Sequence, residues 1–187
     1  MWKPDGTVTK LRRAFNDTGH AHELTFCCYQ RLPLLSKDRT REWFIEALEF
    51  ARSRWTFELW AYVIMPEHVH VLLYPTSTHY DISLILKSIK LSVSRKAMHY
   101  LKKNAPHWLD KLKVVWPDGR IEHRFWQQGG GYDRNIYSEK VAWASINYIH
   151  ENPVRRGLVD SKTDWRWSSA RWYEGLDNVV LAMDGAP

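Results

Sequence analysis

An α+β sandwich of ferredoxin-like type, with helices packed on a mainly antiparallel sheet, is the fold class this sequence predicts. Three observations predict it. Strand-like and helix-like segments follow one another as β, α, β, β, α, then a β-hairpin and a last α. The long helical segments each carry one apolar stripe, and no repeat or low-complexity linker interrupts the series. At 187 residues the chain has room for one sizeable domain and little more.

Residues 1–20 are polar and mixed and read as an N-terminal arm, residues 21–172 as the single domain, and residues 173–187 as a C-terminal tail. Leu24-Thr-Phe-Cys-Cys-Tyr29 is the first strand. Across residues 41–55, Phe44, Ala47, Leu48 and Ala51 recur at helical spacing. Residues 58–65 are β-prone, and Pro66-Glu67 turns them tightly into the next strand to make a hairpin. From Ile82 onward Ile82, Ile85, Ile89, Val93, Ala97 and Tyr100 mark a long amphipathic helix, with Lys87, Lys90 and Ser94 on its other side and Pro106 closing it. Residues 114–126 read as strand, Pro-Asp-Gly turn, strand. Gly129-Gly-Gly131 is expected as a flexible joint. Ser138 stands where a cap belongs for a last helix, which runs to Asn152, where Pro153 stops it.

Composition narrows the function classes. Apolar residues make up 44% and aromatics 14% of the chain, including eleven tryptophans, which marks a folding globular protein. Lys and Arg exceed Asp and Glu by 27 − 21 = +6, which suits a polyanionic partner such as nucleic acid or an anionic membrane surface. The two cysteines, Cys27 and Cys28, are adjacent, so they neither close a loop nor form a Cys-x-x-Cys pair, and a reducing compartment follows. No signal peptide or run of ~18 apolar residues is present, and the expectation is a soluble cytoplasmic protein without a membrane partner.

The stretch Val63-Ile-Met-Pro-Glu-His-Val-His-Val-Leu-Leu-Tyr-Pro75 sets two histidines in the middle of a strand. Strand side chains alternate, so His68 and His70 share one face, ~6 to 7 Å apart along it, and their nitrogens can converge on one ion. The plain alternative is two polar-face residues of a half-buried strand. On the last helix Ala142, Ile146 and Ile149 form the face that packs on the sheet; Tyr148 lies ~100° from Ile149, with Asn152 ~40° from Tyr148 and one turn on. Two imidazoles and an amide oxygen make three ligands for a divalent ion, and a phenol beside them would attack what the ion polarises. Tyr148 as a boundary aromatic and Asn152 as a helix-ending residue is the bland reading of that pair.

Met65-Pro-Glu-His-Val-His70, Phe125-Trp-Gln127, Tyr148-Ile-His-Glu-Asn-Pro-Val154, Gly157-Leu-Val159 and Trp165-Arg-Trp-Ser-Ser169 together resemble the REP-associated tyrosine transposases. These belong to the single-tyrosine branch of the HUH endonucleases, named for a His-hydrophobe-His motif. The resemblance covers about residues 22–172, and its motifs in this order are specific where His-Val-His alone is weak. It implies a ferredoxin-like fold, metal-binding histidines at His68 and His70, a third ligand at Asn152 and a nucleophile at Tyr148. Tyr132, in Tyr132-Asp-Arg-Asn135, is the alternative nucleophile.

The chemistry expected is cleavage of a single-stranded DNA phosphodiester with Mg²⁺ or Mn²⁺, leaving a 5′-phosphotyrosine link and a free 3′-OH that permits rejoining without ATP. A phenol ionises only near ~10, so the ion or a base must assist. Histidine and amide ligands favour Mn²⁺ at least as much as Mg²⁺, and no four Cys or His residues are spaced for structural zinc. Lys87, Lys90, Arg95 and Lys96 on the long helix, Arg120, Arg124 and Arg134 around the hairpin, and Arg155 and Arg156 after the last helix are the candidate phosphate contacts. Single-stranded or hairpin DNA is the expected partner, and monomer and homodimer both stay open. Two other classes compete: a DNA-hairpin-binding module that no longer cuts, against which the intact His68, His70, Tyr148 and Asn152 argue, and a metal-dependent hydrolase, which leaves Tyr148 without a role.

Overall fold

Long runs of Val, Leu, Ile and aromatic residues bounded by turn residues form strands that bury both faces, and amphipathic helices cover them. The computed structural model describes residues 16–187, so most of the arm expected over residues 1–20 lies outside the described residues. In chain order the elements are β1 (Ala21–Cys27), α1 (Asp38–Trp55), β2 (Phe57–Ile64), β3 (His68–Pro75), α2 (Ile82–Asn104), α3 (His107–Leu112), β4 (Lys113–Val115), β5 (Ile121–His123), β6 (Tyr132–Ile136), α4 (Glu139–His150) and α5 (Asn152–Arg155). Four strands make one sheet in the order β2-β3-β1-β6, every neighbouring pair antiparallel. With α1 and α2 as crossovers this is the ferredoxin-like arrangement the segment order predicts.

The sheet has two different faces. Leu24 and Phe26 of β1 and Val69, Val71 and Leu73 of β3 pack with Phe44 and Leu48 of α1 and Ile85, Ile89 and Val93 of α2. The opposite face gathers Ala21, Leu72 and Ile136 with Ala142, Ile146 and Ile149 of α4. The apolar stripes read from sequence on α1, α2 and α4 are therefore the buried faces. His68 and His70, out of phase with Val69 and Val71, belong to the α4 side.

Four local expectations change. The hairpin of residues 114–126 forms, but as a separate two-stranded ribbon, β4 with β5, outside the main sheet. The fourth strand is instead β6, which carries Tyr132 and pairs with β1 from Thr25↔Tyr132 to Ala21↔Ile136. Gly131 is no loose joint: a Cβ there would stand 2.2 Å from the Thr25 carbonyl oxygen, and its φ of +84° suits glycine alone. Residues 173–187 are docked rather than trailing, with Leu181 and Met183 in the core, Asp184 receiving the Leu59 N–H at 2.8 Å, and Arg52 paired with Asp184. No helix among the described residues is long and apolar enough to cross a membrane.

Candidate active site

The two histidines sit in an interior strand, where neighbours on both sides fix the backbone, so their side chains leave the sheet in a set direction. Their rings meet edge to face with centroids 4.9 Å apart. Above them α4 ends at His150 and Asn152 opens the next helical turn, a small correction to a helix expected to run through Asn152. That break keeps Tyr148 and Asn152 one turn apart on the side facing β3. Tyr148 lays its ring edge to face on His70 with centroids 5.7 Å apart, and the Asn152 amide nitrogen is 3.0 Å from His70 Nε2.

These four side chains line one cavity of about 290 Å³, together with Thr25, Cys27, Arg31, Arg155 and Arg156. Each imidazole has a polar partner on Nδ1. His70 Nδ1 is 2.8 Å from Thr25 Oγ1 and Nε2 is 3.0 Å from the Asn152 amide nitrogen; with that N–H donating to Nε2, the proton is on Nδ1 and the Nε2 lone pair is turned toward Asn152 at the cavity wall. His68 Nδ1 lies 3.1 Å from the Glu67 carboxylate, which only accepts, so His68 Nδ1 carries a proton. Burial leads in lowering both imidazole pKa values; the His68 and Arg155 charges help bring His70 to about 3, whereas Glu67 opposes the fall at His68. At neutral pH both are uncharged donors with their second nitrogens held by Thr25 and Glu67, the support that metal-binding histidines receive.

Among the described residues no three His, Cys, Asp or Glu side chains gather as a metal cluster. The donor set is two neutral imidazoles and an amide, which fits a divalent ion that keeps open positions for substrate. The Asn152 amide nitrogen lies against His70 Nε2, so Asn152 would join the two imidazoles as a ligand by turning its amide oxygen inward.

Tyr132 stands two strands from His70. Register places it opposite Thr25, hence on the site's face, but at the sheet edge roughly 10 Å from β3 and outside the residues lining the cavity. The basic candidates divide. Arg155 lies over the Tyr148 ring, 3.9 Å from its centroid, and donates to the Tyr148 carbonyl at 3.0 Å; Arg156 pairs with Glu67 at 3.0 Å. Lys87, Lys90, Arg95 and Lys96 ride on α2, across the sheet from the cavity: Lys90 donates to the Gln127 and Gly129 carbonyls, and Lys96 pairs with Glu46. Arg120 and Arg124 flank Trp116 on the separate ribbon. Thr25, Cys27 and Arg31 are lining residues the sequence reading missed; Thr25 and Cys27 alternate on β1 opposite His70 and His68, a pattern visible only once β1 is known to pair with β3.

Arg134 has a structural task. Its Nη2 bonds the buried Glu23 carboxylate at 2.6 Å and Ser145 Oγ at 2.8 Å, and Ser145 Oγ donates to Glu23 at 3.0 Å. This cluster pins α4 to β1 and β6 one turn before Tyr148. Arg134→Ala strands a buried carboxylate, and the expected loss is about 2 to 3 kcal/mol of folding stability, measured by urea denaturation. A change below ~0.5 kcal/mol would return Arg134 to the surface charges.

Acid is also expected to weaken the fold. His150, its Nε2 2.8 Å from Ser169 Oγ, is lowered by burial to about 4. Below the ordinary value of 6.5 the unfolded chain takes up protons that His70 and His150 refuse until about 3 and about 4. Their contribution is thus whole above pH 6.5 and falls as pH drops, by on the order of 1 kcal/mol per pH unit for each histidine. Urea midpoints at pH 7 and pH 5 read it, and His150→Asn should roughly halve the slope.

The chain is similar to known proteins of one family. Residues 18–152 match the family model described as Transposase IS200 like. A Haemophilus influenzae protein named among the REP-associated tyrosine transposases is 23% identical over 143 residues, 73% of this chain and 76% of that protein. The REP-associated tyrosine transposase of Escherichia coli is 26% identical over 113 residues, 60% of this chain but only 54% of that protein, about half its length. A solved REP-associated tyrosine transposase bound to a REP hairpin superposes with a TM-score of 0.68 at 21% identity, covering 96% of this chain and 94% of that one, and so shares the fold. With the family model spanning most of the chain, through both histidines to Tyr148 and Asn152, this protein belongs to the IS200-like transposase family.

Proposed function

We propose that this transposase nicks single-stranded DNA beside a hairpin and rejoins it through a covalent bond to Tyr148, with Mg²⁺ or Mn²⁺ held by His68, His70 and Asn152. One observation carries the reading: a phenol meets His70 edge to face, in the same arginine-lined cavity as His68 and Asn152. The hairpin follows from the solved relative and its bound REP hairpin.

A phosphodiester brings negative charge that repels nucleophiles, and Arg31, Arg155 and Arg156 supply positive charge around the cavity. Arg155, stacked on the Tyr148 ring and bonded to the Tyr148 carbonyl, fixes the ring's attitude. The Tyr148 oxygen gives up its proton and attacks phosphorus; the bond to the 3′ oxygen breaks, and that oxygen leaves as a hydroxyl after taking a proton. The 5′ phosphate stays on Tyr148, and attack by a 3′-OH reverses the step without ATP. The bound cation would polarise the phosphoryl group, and Mn²⁺ should serve at least as well as Mg²⁺ with such ligands.

The test is a hairpin oligonucleotide with a single-stranded flank, incubated with protein and Mn²⁺ and run on a denaturing gel. A 3′ label should move into a slow protein–DNA band, and a 5′ label into a shortened strand with a free 3′-OH. Tight hairpin binding with neither product would make the protein a binding module, and shortened strands without any adduct would make it a hydrolase.

A further inference from the structure

We propose that Arg31 grips the non-bridging oxygens of the phosphate under attack, a role that rests on reading the cavity as a DNA-cleaving site. Three arginines line that cavity, and two are engaged by the protein itself, Arg155 on Tyr148 and Arg156 on Glu67. Among the described residues the Arg31 side chain meets no carboxylate, carbonyl or ring. An unneutralised guanidinium in a polar cavity is built for an anion, and its planar fork matches two phosphate oxygens.

The backbone points the same way. Gln30 (φ 51°) and Arg31 (φ 55°) are consecutive left-handed residues, neither of them glycine. Glycine would take this turn without strain, so two full side chains are kept there against a local preference. The turn is tied down on several sides: Tyr29 N–H donates to the Phe125 carbonyl at 2.8 Å, Gln30 N–H to Gln127 Oε1 at 3.2 Å, and Arg31 N–H to the Cys28 carbonyl at 3.0 Å. Coming off the end of β1, Arg31 enters the cavity from a different chain segment than Tyr148 and Arg155, so a phosphate among them would be held from two sides.

Arg31→Gly and Arg31→Lys test this on hairpin DNA with Mn²⁺, reading single-turnover adduct formation, hairpin affinity and thermal stability. Arg31→Gly should melt no lower than wild type, because glycine suits the left-handed turn. It should lose ~10²- to 10³-fold in adduct rate with less than about a threefold change in affinity. Arg31→Lys should recover part of the rate. A hairpin whose scissile phosphate is a methylphosphonate, neutral at phosphorus, should shrink the Arg31→Gly penalty to a few-fold. Wild-type rate in Arg31→Gly, or an equal penalty on the charged and neutral linkages, overturns the role of Arg31 alone. No adduct from the wild-type protein fails the cleavage reading itself and takes this role with it.

Discussion

Tyr148→Phe should bind hairpin DNA and cut none of it. The phenylalanine ring keeps both ring contacts of the original, the edge-to-face meeting with His70 and the Arg155 guanidinium 3.9 Å from its centroid. What disappears is one oxygen on a side chain that is 46% exposed, so folding stability should change by less than ~0.5 kcal/mol. Cleavage should fall by at least ~10⁴-fold, the scale on which loss of a nucleophile registers. The covalent adduct should vanish with it, since no bond to phosphorus can form. Tyr132→Phe is the matched control: Tyr132 is similarly exposed but belongs to the edge strand opposite Thr25, away from the residues that line the cavity. It should leave the adduct intact. Peptide mass spectrometry of the trapped complex decides between them, and a phosphopeptide containing Tyr132 would move the nucleophile while leaving the enzyme class in place.

Much of the site was legible because it is built from periodicities that do not depend on distant pairing. A His-x-His spacing on a strand puts both rings on one face whatever lies beside it, and a helix with Ala142, Ile146 and Ile149 buried must hold Tyr148 off that face. The features that stayed hidden are those whose partners are remote in sequence. β6 carries no strand pattern in the sequence because Asp133 and Arg134 face buried polar partners, His22 Nδ1 at 2.8 Å and Glu23, instead of apolar ones. Arg134 looked like a phosphate contact for the same reason, since charge alone cannot tell a surface arginine from one spent on a buried carboxylate. Leu181 and Met183 are too short an apolar run to announce that the C-terminal segment returns to the core. Arg31 gave no signal at all, because a left-handed turn without glycine or asparagine carries none of the residues by which such turns are read.

His70→Ala should remove divalent-ion binding and cleavage together while leaving the fold in place. His70 is buried and bonded to Thr25 and Asn152, so its loss frees two polar groups, but both border a 290 Å³ cavity that water can enter. The expected stability cost is therefore only about 1 to 2 kcal/mol, with Val69, Val71 and Leu73 still packed on the other face of the same strand. With His70 as one of the three proposed ligands, its loss should weaken Mn²⁺ binding at least ~10-fold by calorimetry, which reports on the site without reference to activity. Adduct formation should drop by ~10³-fold or more at low Mn²⁺. His150→Ala separates ion binding from mere loss of a buried imidazole: His150 is equally enclosed and bonded to Ser169, but it points away from the cavity. That variant should melt earlier and still bind Mn²⁺ at wild-type affinity. If His70→Ala forms adduct at the wild-type rate in low Mn²⁺, the histidines hold no catalytic ion, and activation of Tyr148 must come from the arginines around it.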